Sequence, residues 1–264
     1  MKKLELAIGP SNGWIYASKT YDVKEHNKIL KTVRARAVEL ALVFPEEARI
    51  QALRQEEVFT MWLEYVSLHL PDYNPNQPVE AQVALASEMV GLHGAAVALM
   101  HPSSRVKAVD GVPLEQQIAE SRAPNSFYVA MKQAGVPLAI ENMDKDKLSG
   151  YNIDELYMNC GLHDLAFVLD VQHAFEHDHD MGYAKELLDL MEDRLVHLHV
   201  SGATAKDVQD RNHQLVHKSD NREAIVRFTH GLLQRKNVPI ILEGRYADKK
   251  ELKEEIKFLE RELA

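Results

Sequence analysis

The stretch FVLDVQHAFEHDHD, residues 167–180, runs from a core-type apolar segment straight into Asp170, then His173, His177 and His179. Apolar runs ordinarily end in turn formers such as Gly, Asn or Pro. A carboxylate and a histidine three apart at a strand end suit either a capped turn or a metal site. Comparable endings recur along the chain. YVSLH ends in His69, VALMH in His101, PLAIE in Glu141, VHLH at His199 and PIILE in Glu243. Asp and Glu contribute 40 and His 13 of the 264 residues, so composition alone does not put such a residue at six strand ends. Imidazoles and carboxylates together make a mixed nitrogen–oxygen donor set for Zn²⁺, Mn²⁺, Co²⁺ or Fe²⁺, unlike a Cys-based structural site. Acids gathered around one axis would otherwise push each other's pKa upward, and bound cations remove that conflict. Taken singly, any one of these histidines is more simply a hydrogen-bonded core residue. The acids at Glu141, Asp170 and Glu243 fit that reading less well, because acids at the ends of buried runs seldom go inside without a partner.

Strand-like runs lie at 4–9, 38–44, 65–70, 95–101, 136–141, 165–170, 195–200 and 238–243. Helical spacing fits 25–36, 46–62, 78–93, 113–134, 152–161, 183–193, 220–236 and 248–262. Strict alternation of strand and helix calls for parallel strands with right-handed crossovers. Eight such units predict an α/β fold of the (β/α)₈ TIM-barrel type, a single domain over 1–264. A doubly wound open sheet is the competitor, but IGPSNGW after the first strand lacks the GxGxxG nucleotide fingerprint. In a barrel the C-terminal rim of the strands carries the active site. The six acidic or imidazole strand ends therefore form a ring, which a capped turn at one strand does not explain. The last helix, DKKELKEEIKFLEREL, alternates acids and bases and reads as a solvated outer face.

With 45% hydrophobic residues the chain supplies a substantial core. No apolar stretch approaches the roughly 18 residues of a membrane span, so no membrane partner is expected. The start MKKLELAIGP turns charged and Gly/Pro-bearing too soon for a signal peptide. Cys160 is the lone cysteine, which excludes an internal disulfide framework, fits a reducing cytoplasm and reads as a small core residue. A net charge of −9 argues against broad nucleic-acid binding, although divalent cations would offset several acids. Among the other histidines, His197 shares a strand face with His199 and belongs behind it or in the barrel interior. His177 and His179 read as a solvent-facing loop, and His93 and His163 as structural. The loop DVQDRNHQLVHKSDN offers Asp210, His213 and His217, which could fold back over the rim.

Together, HP at 101–102, IEN at 140–142, LDVQHAF at 169–175, HLHVSG at 197–202 and ILE at 241–243 resemble the xylose-isomerase-like TIM-barrel superfamily. That group includes endonuclease IV-type abasic-site endonucleases and many sugar isomerases and epimerases. The resemblance covers most of the chain, in order. Its isomerase branch implies one divalent ion on Glu141, Asp170, His199 and Glu243, with the two glutamates moving protons and His173 orienting the sugar. Its endonuclease IV branch implies three zinc ions, adding His69 and His101 from earlier strands, His173, and Asp210 and His213 from the loop after the seventh strand. Three departures stand out: Asp-Arg-Asn-His replaces a compact Asp-Arg-His, VSG follows His199 where many relatives carry Asp, and the first strand, LAIGPSNG, lacks the family's histidine.

The resemblance thus implies an enzyme with more than one divalent ion, zinc first and manganese, cobalt, iron or magnesium as alternatives. Its substrate would be a sugar, a sugar phosphate or abasic-site DNA. Paired ions suit in-line attack of water on a phosphodiester, whereas a ketose–aldose shift needs only one ion and a carboxylate to carry the proton. The extra histidines place metal-dependent phosphodiester hydrolysis ahead, with Glu141, Glu243 and His173 as catalytic residues. Sugar isomerisation or epimerisation is the alternative. Nothing in the sequence sets an oligomeric state.

Overall fold

Each apolar run is followed by a segment of helical spacing, and such a chain returns every strand in the same direction. The computed structural model describes residues 5–13, 23–43, 47–55, 62–102, 111–145, 147–204 and 212–264. Its strands are β1 (Ile8–Pro10), β2 (Ala37–Ala41), β3 (Tyr65–His69), β4 (Val97–Met100), β5 (Leu138–Glu141), β6 (Ala166–Asp170), β7 (Leu195–Val200) and β8 (Ile240–Leu242). The helices among the described residues are α1 (Val23–Val33), α2 (Glu47–Gln55), α3 (Val79–His93), α4 (Leu114–Ser121), α5 (Asn125–Gln133), α6 (Ile153–His163), α7 (Val171–His177), α8 (Gly182–Met191), α9 (Arg222–Arg235) and α10 (Lys249–Glu262).

All seven strand pairings are parallel, in the order β1-β8-β7-β6-β5-β4-β3-β2. The ring closes between β1 and β2, where the Arg36 N–H donates to Ile8 O at 2.9 Å and the Asn12 N–H to Glu39 O at 2.8 Å. Gly9 makes that seam possible, since a Cβ there would stand 1.6 Å from the Ala37 carbonyl oxygen. The protein is the (β/α)₈ barrel that its alternating pattern predicts.

Side chains alternate across each strand. Ile140, Phe167, Leu169 and Leu198 join the core between sheet and helices, whereas Val97, Leu99, Ala139 and Val168 form a small separate cluster inside the barrel. On the inner face, Glu141 follows Ala139 by two residues, Asp170 follows Val168 and His199 follows His197. The inward register thus delivers the polar strand ends to one place.

Several boundaries differ from expectation. The first strand begins four residues later than the apolar run at 4–9. The single helix expected over 113–134 is two, because Pro124 disfavours the helical conformation at the residue before it, and Arg122 is already extended with ψ 145°. The segment after Asp170 is a helix, not a loop. His177 therefore sits at the end of α7, its ring stacked on Tyr183 at 4.0 Å, while His179 lies beyond the helix in the turn. Finally, α10 is only partly solvated: Leu252, Glu255, Ile256 and Leu259 are buried.

Candidate metal centre

Asp170 ends β6 and caps α7 in the same stroke. Its Oδ1 accepts the His173 N–H at 2.6 Å, an N-cap that fixes the entry of the helix. Its Oδ2 is buried without a hydrogen bond. The capped turn expected at this residue is realised on Oδ1, which leaves Oδ2 without a hydrogen-bond partner. The Asn142 side chain locks β5 to β6 by bonding the Asp170 backbone on both sides, at 2.8 and 3.0 Å.

Around Asp170, donor atoms of Glu141, Asp170, His199 and Glu243 lie within 4.8 Å of one another. Donor atoms of His69, His101 and Glu141 form a second group under the same limit. Glu141 belongs to both. Its Oε1 is 2.9 Å from His199 Nδ1, while its Oε2 is 3.7 Å from His69 Nε2 and 3.8 Å from His101 Nε2.

The ring nitrogens facing away from these groups are tied down. His69 Nδ1–H donates to the Leu70 carbonyl at 3.1 Å, and His101 Nδ1–H donates to Asp72 Oδ1 at 2.8 Å. His199 Nε2–H donates to Glu39 Oε2 at 3.1 Å. Histidines that ligate metals are oriented in this way, by an acceptor on the nitrogen that does not ligate.

His173 and His213 stand at the rim, rings edge to face at 6.1 Å. His173 Nε2 is 3.9 Å from Asp170 Oδ2, and its Nδ1 is 3.8 Å from Asp144. His213 Nδ1 is 3.7 Å from Glu243 Oε2. His213 adopts φ 58°, a left-handed backbone that a residue with a side chain takes only where its surroundings hold it. The holding bonds are Arg245 N–H to His213 O at 2.7 Å and the Gln214–Gly202 pair at 2.7 and 2.9 Å. Below them, buried Glu255 of α10 accepts the Val216 N–H at 2.6 Å and the His217 N–H at 3.1 Å, and also bonds the His217 ring. His217 is thus committed to Glu255 and does not join the rim. Asp210, named with His213, lies outside the described residues.

Burial and mutual charge set the protonation of the metal-free site. Burial pushes Glu243 up to about 8 against the pull of His199, and it likewise raises Asp170. For His69 burial works downward, but Glu141 and Glu39 overcome it and hold the imidazole at about 9. Burial also opposes the charge on His199, yet Glu141, Glu243 and Glu39 raise it well above an ordinary histidine. Burial, aided by His173 and Arg245, drops His213 to about 3. In the metal-free cluster burial thus favours the neutral forms of Glu243, Asp170 and His213, while the surrounding carboxylates favour the charged forms of His69 and His199.

Sequence reasoning missed three acids. Glu39 sits mid-strand in VELALVF, an acid inside an apolar run. Asp72 and Asp144 follow the ends of β3 and β5 by three residues each, beyond the strand ends where the ring was sought. A cavity of about 460 Å³ opens beside β3, lined by Leu70, Asp72, Tyr73, Asn74, Gln82 and Phe127 among others, and meets the site at Asp72.

A closed parallel barrel with acids and imidazoles at its C-terminal rim defines a class, and residues 36–262 match the xylose isomerase-like TIM barrel family. The chain belongs to that family. No curated protein matches it. Among solved structures, a xylose isomerase domain-containing protein from Salmonella typhimurium LT2 superposes with TM-score 0.70 at 14% identity, covering 100% of this chain and 99% of that one. The TTHB071 protein from Thermus thermophilus, soaked with ZnCl₂, gives TM-score 0.60 at 19% identity, with 97% and 98% covered. D-psicose 3-epimerase with D-tagatose, from Clostridium cellulolyticum H10, gives 0.62 at 13% identity, with 98% and 99% covered.

Proposed function

We propose that the protein is a divalent-metal-dependent hydrolase of phosphoric esters carried on a sugar, an abasic-site phosphodiester among them. The observation that carries this reading is the sharing of Glu141. One carboxylate turns its two oxygens to two separate donor groups, which suits two neighbouring cations. Nitrogen and oxygen donors without a thiolate fit zinc first, with manganese, cobalt, iron or magnesium able to take the same set. The orphaned Asp170 Oδ2, buried among these groups, fits a cation as well.

Cations held there would polarise a phosphoryl oxygen and activate water for in-line attack. The chain's own residues supply the rest. Glu141 joins the two donor groups, and His69 and His101 complete one of them. Asp170, His199 and Glu243 complete the other. His173 and His213 at the rim stand where the ester and its sugar would enter, and Asp210 is proposed to join them. A neighbour of this fold was soaked with ZnCl₂, in keeping with use of a divalent metal.

A second reading has its own observation. Glu141, Asp170, His199 and Glu243 suffice for one ion, and the fold is similar to that of a 3-epimerase carrying D-tagatose. Under it, Glu141 and Glu243 would move the proton of a ketose. The two readings separate on His69 and His101. Metal-loaded protein assayed in parallel on an abasic-site duplex, sugar phosphates and a panel of ketoses and aldoses should cleave an ester. Changing His69 and His101 together to Ala should reduce that cleavage to background. Turnover of a ketose at wild-type rate in the double variant, with no ester cleaved by either protein, would hand the assignment to the epimerase reading.

A further inference from the structure

Beneath the rim lies a buried polar group that the proposed reaction does not use. Glu39, on β2, is fully buried. Its Oε2 accepts from Ser67 Oγ at 3.0 Å and His199 Nε2 at 3.1 Å, and is 3.6 Å from His197 Nε2. Neither lysine nor arginine pairs with it among the described residues; its neighbours of opposite charge are imidazoles. A buried carboxylate is costly unless it is paired and hydrogen-bonded, and here Ser67 and the imidazoles are its partners.

The residue it holds is His199. That ring turns Nδ1 to Glu141 Oε1 at 2.9 Å and to Glu243 Oε1 at 3.5 Å, and Nε2 to Glu39. An imidazole that presents one nitrogen as a ligand must keep its proton on the other. An acceptor at Nε2 therefore selects the tautomer with a free Nδ1, fixes the ring plane and makes Nδ1 a stronger donor. Ser67, one strand over, fixes the carboxylate in turn. His197 flanks it, its own ring held by the Tyr65 hydroxyl at 2.8 Å.

We infer that Glu39 is a positioning residue for the metal centre, acting through His199 and braced by Ser67. Donor atoms of Glu39, His197 and His199 also lie within 4.8 Å of one another, but the hydrogen bond to His199 Nε2 assigns Glu39 the role of holding a ligand and not of being one. This inference rests on the metal-centre reading above and deepens it, extending the site one layer down the barrel to β2 and β3.

Zinc affinity by chelator competition tests it, together with the visible spectrum of the cobalt-substituted protein. Glu39→Gln keeps the shape and one acceptor oxygen but loses the charge, and Glu39→Ala loses both. Loss of such an outer partner weakens metal binding by about 10–100-fold. The Gln variant should sit near the lower figure and the Ala variant near the upper, each with shifted cobalt bands. If Glu39→Ala does not fold, the nearly isosteric Gln variant carries the test. Wild-type zinc affinity and cobalt spectrum in Glu39→Gln would overturn the inference. So would loss of one whole ion per chain with the remainder bound at wild-type affinity, which would make Glu39 a ligand. If the wild-type protein itself takes up no divalent metal, the metal-centre reading fails and this inference goes with it.

Discussion

Oδ1 of Asp170 accepts the His173 amide at 2.6 Å, while Oδ2 lies buried in the donor group without a hydrogen bond. The two duties can be separated by substitution. Asp170→Asn keeps an N-cap acceptor but removes the anionic donor; Asp170→Ala removes both. Capping residues replaced by Ala cost roughly 1 kcal/mol. Urea denaturation of the metal-free variants should therefore find Asp170→Ala about 1 kcal/mol less stable than Asp170→Asn. Both should lose zinc from the Glu141–His199–Glu243 group, measured by metal titration. An Asn variant that binds zinc as the parent does would show that Oδ2 is no donor. Strand ends were the legible part of this site: an acid or histidine closing an apolar run is visible in one sequence. Glu39 was not, because a lone acid inside VELALVF gains meaning only when β7 brings His199 against it, 160 residues away. Asp72 and Asp144 were hidden for a related reason, since no pattern says which loop residue turns back to meet a histidine.

At the scale of elements, the seam between β1 and β2 decides whether the ring closes. Gly9 meets the Ala37 carbonyl so closely that any side chain must push the strands apart. Gly9→Ala should lower unfolding stability by roughly 3 kcal/mol, the upper end for overpacking. It should also weaken zinc binding, because the bonds linking the β1 end to β2 flank Glu39. Stability unchanged in chemical denaturation would mean that the seam relaxes freely. The alternation of strands and helices was legible from the periodicity of apolar residues, because each element buries a single stripe or face. What escaped were features set by one residue or by tertiary context. Pro124 cuts a continuous helical pattern in two, and the Asp170 cap draws an imidazole-rich segment into α7. Glu255 reads as one more surface charge in a mixed helix, yet it is buried and anchors the turn that presents His213.

For the whole molecule, the metal-free site couples folding to pH. Burial holds the Glu243 carboxyl at about 8, above its ordinary 4.5. His69, despite burial, is held at about 9 by Glu141 and Glu39, above its ordinary 6.5. In both windows the folded chain binds a proton that the unfolded chain has released, so stability declines as pH rises through them. Asp170, raised by burial, acts in the same direction. His197 and His213, dropped by burial to about 3, act in the opposite direction, but only up to about pH 7, where unfolded imidazoles lose their protons. Glu39 and Glu141, buried but held low by His199 and its neighbours, act in a window below the ordinary carboxylate range and do not offset this. The thermal midpoint of the metal-free protein should therefore fall between about pH 7 and pH 9. The fall should reach several degrees, since about 1 kcal/mol moves the midpoint of a domain this size by roughly 2–4 °C. Saturating zinc replaces the protons and binds more tightly as they leave, so the slope should flatten or reverse. Thermal unfolding across that range, with zinc and with a chelator, makes the comparison. A metal-free midpoint that climbs with pH would mean that the buried acids and imidazoles are not protonated as the barrel's charge balance requires.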